Sequence, residues 1–342
     1  MREADRILII RPSALGDVCR SVPVLVSLKK RFPAARIDWM VQDAFIPAIE
    51  HHPDLHRAIP FPRSKLAKDL LRFKPGSLLA FIGELRRGRY DLVIDAQGLF
   101  RSGFFSVSTG ARKRIGDRSG REAGWLFATR TVRTDPRSHT VDRMLELVRA
   151  AGAEPVRDLR LYTNNRQRVE AEAQLGPRFA RPIVIAPTSR WAAKRWPASR
   201  FVELTRALLA RTPHPIVIVG GPGEREQCEP LLELARHEPR VLDLVGETSV
   251  GGLLAVIERA RLVIANDSAA LHMAVGFDRP IVAIFGPTEI DEVGPYSRAA
   301  DVIQRADPGC MNHKRDENAR VMRAIPSREV VVTCLERLHS GS

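Results

Sequence analysis

No stretch of this sequence is long and apolar enough to cross a bilayer, since none approaches the roughly 20 residues a transmembrane helix needs. The charged, short opening MREADR leads straight into the apolar run Ile7-Leu8-Ile9-Ile10 and does not resemble a signal peptide. A soluble chain working in the cytoplasm is therefore expected. Cysteine is scarce: Cys19, Cys228, Cys310 and Cys334 are scattered without CxxC spacing, which argues against a zinc site and a disulfide framework and predicts reduced thiols. Aromatics are thin as well. Three Tyr and four Trp provide no stacking platform, and no nucleic-acid motif accompanies them. Also missing is an Asp-x-Asp pair at a strand end, the spacing that would hold a divalent cation against a diphosphate, so chemistry without a metal ion is favoured.

Positive charge is abundant. The 342 residues carry 54 Lys and Arg against 40 Asp and Glu, a net charge of +14, and residues 1–160 hold 30 of the cations against 18 of the anions. The first half is the basic half. Such a balance favours an anionic partner: nucleic acid, an acidic membrane surface or a phosphorylated substrate.

Short apolar runs alternate with helical patterns, as βαβ units do. Strands are expected near 7–10, 37–41 and 92–95, with helices near 15–31, 77–88 and 139–151. The rhythm restarts with the runs IVIA (183–186), IVIVGG (216–221), LVIAND (262–267) and IVAIFGPT (281–288), and with helices at 198–211 and 249–260. The fold class is α/β, two doubly wound Rossmann-like domains: 1–160, then 161–326, then a terminal helix in 327–342 free to pack back on the first domain. Ligands of such sheets sit outside the carboxyl ends of the strands, so two facing sheets make an interdomain cleft.

Residues just after the strands therefore carry the chemistry. RPSALGDVCRSVPVL (11–25) reads as a strand-to-helix turn at Gly16, with Asp17 where phosphate-cradling turns have more glycine. An ordinary helix cap is the alternative for Asp17. In ANDSAALHMAVG, Asp267 or Ser268 can cap a helix whose first amides, at Ser268, Ala269 and Ala270, form an anion site within reach of His272. APTSRWAAKRWP offers the Thr188 and Ser189 hydroxyls and Lys194, groups able to hold a diphosphate and neutralise a leaving group without a metal. In VGGPGERE, a glycine-rich turn places Glu224 where a ribose hydroxyl can be bound.

The stretches RPSALGDVCRSVPVL, DAQGLFRSG, APTSRWAAKRWP, VGGPGERE, ANDSAALHMAVG and PIVAIFGPTE follow one another as in the ADP-heptose:lipopolysaccharide heptosyltransferases, the family-9 glycosyltransferases of GT-B fold, which this chain resembles over nearly its whole length. IGDRSGREAGWLF and HTVDRML also resemble the heptosyltransferase I branch, although Asp267-Ser268-Ala269 stands where that branch tends to have Asp-Thr-Gly. The resemblance implies an inverting, metal-independent transfer of heptose from ADP-heptose to the Kdo of the lipopolysaccharide inner core, with no cofactor. It implies Asp17 as general base, and Lys194 with the 267–272 turn as the group stabilising the departing ADP. Thr188, Ser189, Glu224, Asp267, Ser268, Ala269 and His272 match donor-binding positions. Ser13, Gly16, Arg63 and Arg121 stand on the acceptor side, where the basic segments 63–74 and 112–121 suit a Kdo-bearing lipid A at the inner membrane face. The partners implied are thus an ADP-sugar and an anionic lipid acceptor, with the enzyme a monomer peripheral to the membrane. The rivals are a GT-B transferase with another nucleotide-sugar, a basic nucleic-acid-binding protein and a non-catalytic nucleotide-binding scaffold.

Overall fold

The computed structural model describes residues 4–120, 122–305 and 308–340, and its chain divides into two compact units, Met1–Tyr162 and Thr163–Ser342. The first unit runs β1 (Arg6–Ile10), α1 (Leu15–Arg20), α2 (Val22–Arg31), β2 (Arg36–Gln42), β3 (Arg57–Phe61), α3 (Arg63–Leu71), α4 (Gly76–Arg87), β4 (Leu92–Asp95), α5 (Phe100–Ser108), β5 (Lys113–Asp117), β6 (Arg130–Val132) and α6 (Thr140–Ala150). The second runs α7 (Asn165–Leu175), β7 (Ile183–Ala186), α8 (Ala198–Arg211), β8 (Ile216–Gly220), α9 (Glu229–His237), β9 (Val241–Val245), α10 (Val250–Glu258), β10 (Leu262–Asn266), α11 (Ala269–Gly276), β11 (Ile281–Phe285), α12 (Ile290–Val293), β12 (Val302–Gln304), α13 (Arg320–Arg323) and α14 (Ser327–Ser340).

Both sheets are parallel and share one topology, β3-β2-β1-β4-β5-β6 and β12-β11-β10-β7-β8-β9. Central strands of such sheets are covered on both faces, which is why ILII in β1 and IVIA in β7 are unbroken apolar runs with every residue buried. Each sheet grows outward in both directions from a central pair, β1 and β4 or β7 and β10. Between the members of that pair the connections diverge, leaving a crevice at the carboxyl ends that suits a ligand.

The expected helix over 15–31 is two helices. Pro23 has no amide to continue the ladder, so α1 ends at Ser21, whose hydroxyl donates to the Asp17 carbonyl at 2.7 Å while α2 begins at Val22. Farther along, Gly103 lets α5 lie against the 124–127 turn, where a Cβ would come within 2.4 Å of the Gly124 carbonyl oxygen. The segments IGDRSG and HTVDRML, both prominent in the sequence, meet in a structural bond: Asp117 accepts from Thr134 Oγ1 at 2.8 Å and from Arg143 at 3.0 Å, tying β5 to α6. The terminal helix α14 packs in the second unit. Val330, Cys334 and Leu338 of α14 are buried in the second unit's core with Phe201, Leu204 and Leu208 of α8.

That core should report on the second unit. Phe201 is fully buried and packs edge-to-face on Trp196, with ring centroids 4.8 Å apart. Phe201→Ala is expected to lower unfolding free energy by about 3–5 kcal/mol, read by denaturant titration with tryptophan fluorescence.

Candidate active site

In the first unit the crevice lies between β1 and β4. The chain leaves β1 through Arg11-Pro12-Ser13-Ala14 and enters α1 at Leu15, so the turn precedes Gly16, which sits inside the first helical turn. Asp17 is the third helical residue and not the cap. Its Oδ2 accepts the Ala14 amide at 3.1 Å, while Oδ1 receives the Arg20 guanidinium and lies 3.3 Å from that of Arg11. Burial pushes the Asp17 carboxyl up, but the two arginines and the Ala14 amide outweigh it and hold the group well below the usual carboxylate range. The side chain nevertheless keeps 26% of its surface exposed.

Sequence reasoning missed the supporting groups. Arg11 is buried and donates to the Ala96 carbonyl at 2.5 Å. Asp95, at the end of β4, accepts the amides of Gln97 (3.1 Å) and Gly98 (3.0 Å) and the Ser102 hydroxyl (2.9 Å), thereby shaping the DAQG loop. Gln97 in turn accepts the Ser13 amide at 3.4 Å. Arg11 and Arg20 flank Asp17 at positions a sequence reader can find: one follows the strand directly and the other is one helical turn on. Of the remaining acceptor-side residues, Arg63 is exposed at the start of α3, and Arg121 lies outside the described residues.

In the second unit the edges of β8, β7 and β10 gather the other candidates. Thr188 donates to Glu224 Oε2 at 2.6 Å, and the same oxygen accepts the Gly221 amide at 2.7 Å. Gly220 permits this, because a Cβ there would stand 3.2 Å from the Thr188 side chain. The Ser189 amide donates to Gln227 at 3.2 Å and its hydroxyl to the Asp267 carbonyl at 3.3 Å. Lys194 Nζ is 2.5 Å from Asp267 Oδ2, with side chains only 12% and 9% exposed. Lys194 is therefore no solvated loop lysine. Asn266, also missed from sequence, locks the two edges together by donating to the Pro187 carbonyl at 2.6 Å and accepting the Trp196 amide at 3.3 Å.

Ser268 is the cap residue of α11, yet its side chain makes no capping bond. Its hydroxyl and that of Thr288, beyond β11, are buried without a partner among the described residues. Ala269 opens α11, and His272 is buried one turn further. Uncapped amides, a paired ammonium and spare hydroxyls at one strand edge are what a diphosphate requires. Among the described residues no group of three or more His, Cys, Asp and Glu is placed to hold a metal ion, and no helix is long and apolar enough to cross a membrane.

A sequence profile of glycosyltransferase family 9 (heptosyltransferase) matches residues 78–321. Lipopolysaccharide heptosyltransferase 1 of Pseudomonas aeruginosa is 30% identical over 302 residues, covering 86% of this chain and 82% of that protein. Lipopolysaccharide heptosyltransferase 2 of Salmonella typhimurium is 27% identical over 311 residues, covering 87% and 88%. Among solved structures, E. coli ADP-heptose lps heptosyltransferase II is similar with a TM-score of 0.80 at 24% identity, covering 98% of this chain and 99% of that one. E. coli heptosyltransferase WaaC with ADP-2-deoxy-2-fluoro heptose gives 0.78, also at 24% identity, covering 97% and 99%. The protein is a glycosyltransferase of GT-B fold. Within that class the chain belongs to family 9, the heptosyltransferases.

Burial raises the Asp95 carboxyl to about 6 against the bonds that favour its charge. A carboxyl raised on folding binds its proton more tightly in the native state, so stability from this group falls as pH rises through about 4 to 6. Asp17 has the opposite sign, stabilising above its unfolded value and losing that contribution on acidification. Asp95→Asn removes only the first effect. Relative to this variant, wild type should lose about 2 kcal/mol between pH 4 and pH 7 in denaturant titrations; a constant difference would refute the assignment.

Proposed function

We propose that the protein moves heptose from ADP-L-glycero-D-manno-heptose to the Kdo of the lipopolysaccharide inner core, with inversion and without a metal ion. The observation that carries this reading is the set Thr188, Ser189, Lys194, Asp267 and Ser268 gathered at the central crevice of the second sheet. The ADP diphosphate sits on the α11 amides and Lys194, and Glu224 takes a ribose hydroxyl with the oxygen not engaged by Thr188 and Gly221. The relatives' names, lipopolysaccharide heptosyltransferases 1 and 2, support heptose as the sugar and lipopolysaccharide as the acceptor.

An acceptor hydroxyl beside Asp17 attacks the anomeric carbon from the face opposite the diphosphate. The new oxygen–carbon bond forms as the carbon–phosphate-oxygen bond breaks, the proton passes to Asp17, and ADP departs with its charge met by Lys194. Arg11 and Arg20 keep Asp17 ionised, hence ready, but weaken it as a base. Proton transfer is therefore late, when the attacking hydroxyl has become acidic.

The lipid-facing part of the reading rests on the α3–α4 segment. Leu71 and Phe73 are 83% and 93% exposed, and Leu70 and Leu79 also face solvent, amid Arg63, Lys65, Lys68, Arg72 and Lys74. Apolar side chains interleaved with cations suit an anionic leaflet.

Three experiments test the reading. Asp17→Ala should reduce transfer at least about a thousandfold, within the range for loss of a general base, while ADP affinity stays within about threefold; Lys194→Ala should impair donor use, with ADP-, UDP- and GDP-sugars compared side by side. Retained turnover in the aspartate variant removes Asp17 from the role of base. For the surface, Leu71→Asp/Phe73→Asp should abolish sedimentation with phosphatidylglycerol vesicles yet spare transfer to a soluble acceptor fragment; unchanged sedimentation rules the segment out.

A further inference from the structure

Beneath α3, α4 and α5 the first sheet closes over an apolar core that includes Leu8, Met40, Ile59, Phe61 and Phe81. At the amino-terminal ends of the strands, the edge opposite Asp17 and Asp95, that core gives way to charge. Arg6 stands directly opposite Arg36 across β1 and β2, and Asp38 opposite Arg57 across β2 and β3. These four residues, with His56 and the end of α4, line a cavity of about 380 Å³.

Its charge is unbalanced in a specific way. The buried Asp38 carboxylate is fully engaged from within: Oδ2 accepts from the Tyr90 hydroxyl at 2.7 Å and Arg57 at 3.1 Å, and Oδ1 lies 2.8 Å from His56 Nδ1. Among the described residues the Arg6 guanidinium donates to the Gly88 carbonyl, at 3.2 Å, and forms no ion pair. Arg36 and Arg87 make no ion pair among the described residues, and Glu84 is the one other carboxylate in the lining. Like charges set opposite each other on neighbouring strands repel, yet four guanidinium groups converge here. Gly88 shapes the wall, since a Cβ there would fall 2.3 Å from the Tyr90 ring.

We propose that this cavity is a binding site for a phosphate-bearing anion, received by Arg6, Arg36, Arg57 and Arg87, with Asp38 aiming Arg57 and His56 into it. Planar guanidinium groups meet phosphate oxygens two at a time, and several such forks converging give both affinity and orientation. The volume corresponds to roughly a dozen waters, so the ligand is larger than one phosphate: a diphosphate or an organic phosphomonoester. The site belongs to the first unit alone and is separate from the donor residues.

Isothermal titration with pyrophosphate, as a free anion, and with dihexanoyl phosphatidic acid below its micelle concentration, as a lipid phosphate, tests this. Arg36 and Arg87 are exposed, so Arg36→Glu/Arg87→Glu leaves the core intact, which circular dichroism verifies. At least one probe should bind wild type with a component weakened tenfold or more in the double variant, preserved in Lys194→Ala and attenuated by added salt. The probe that binds identifies the ligand's source. Equal affinities in wild type and the double variant, or no binding of either probe to wild type, overturn the proposal.

Discussion

An ammonium withdrawn from water must keep a carboxylate beside it, and the Lys194–Asp267 pair imposes that condition on the second unit's crevice. The lysine arrives from the loop after β7, the aspartate from the end of β10. Because these strands are neighbours at the point where the sheet's connections diverge, the pair bridges the two edges that a ligand must also touch. Asn266 ties the same edges through Pro187 and Trp196. The Lys194 ammonium is thereby held at one place and one height beside its carboxylate.

The first unit inverts this electrical logic with the same scaffold. There the crevice between β1 and β4 presents an anion, Asp17, supported by two buried cations. A carboxylate alone in such a position would be driven towards its neutral form; Arg11 and Arg20 keep it charged. Readiness to accept a proton and strength in doing so are separated here, since the groups that secure the first diminish the second.

Most of this was readable from residues, and the gaps have physical causes. Apolar runs located the central strands β1, β2, β4, β7, β8, β10 and β11, even though Asp38 interrupts that of β2. The strands not anticipated, β3, β5, β6, β9 and β12, are charged, interrupted by Pro60 or only three residues long, as befits strands towards the sheet margins. Helix α5, with Gly103 and several serines, has no strong propensity to announce it. At the sites, strand-end position was enough to nominate Asp17, Thr188, Ser189, Lys194, Glu224 and Asp267. It did not reveal Arg20 or Asp95, whose bonds are local and follow from neighbouring positions, nor Arg11, Gln227 and Asn266, whose bonds to Ala96, Ser189 and Pro187 exist only once loops distant in sequence are brought into hydrogen-bonding range. The mistaken turn at Gly16 came from reading glycine as punctuation where the chain uses it inside a helix.

The Ser268 hydroxyl, enclosed at the mouth of α11 and unbonded among the described residues, bears on how this protein divides its stability. An enclosed hydroxyl without a partner costs on the order of 1–3 kcal/mol, a sum that alanine would not incur. The fold thus forgoes stability at the mouth of α11 that a hydrogen-bond partner for this hydroxyl would restore.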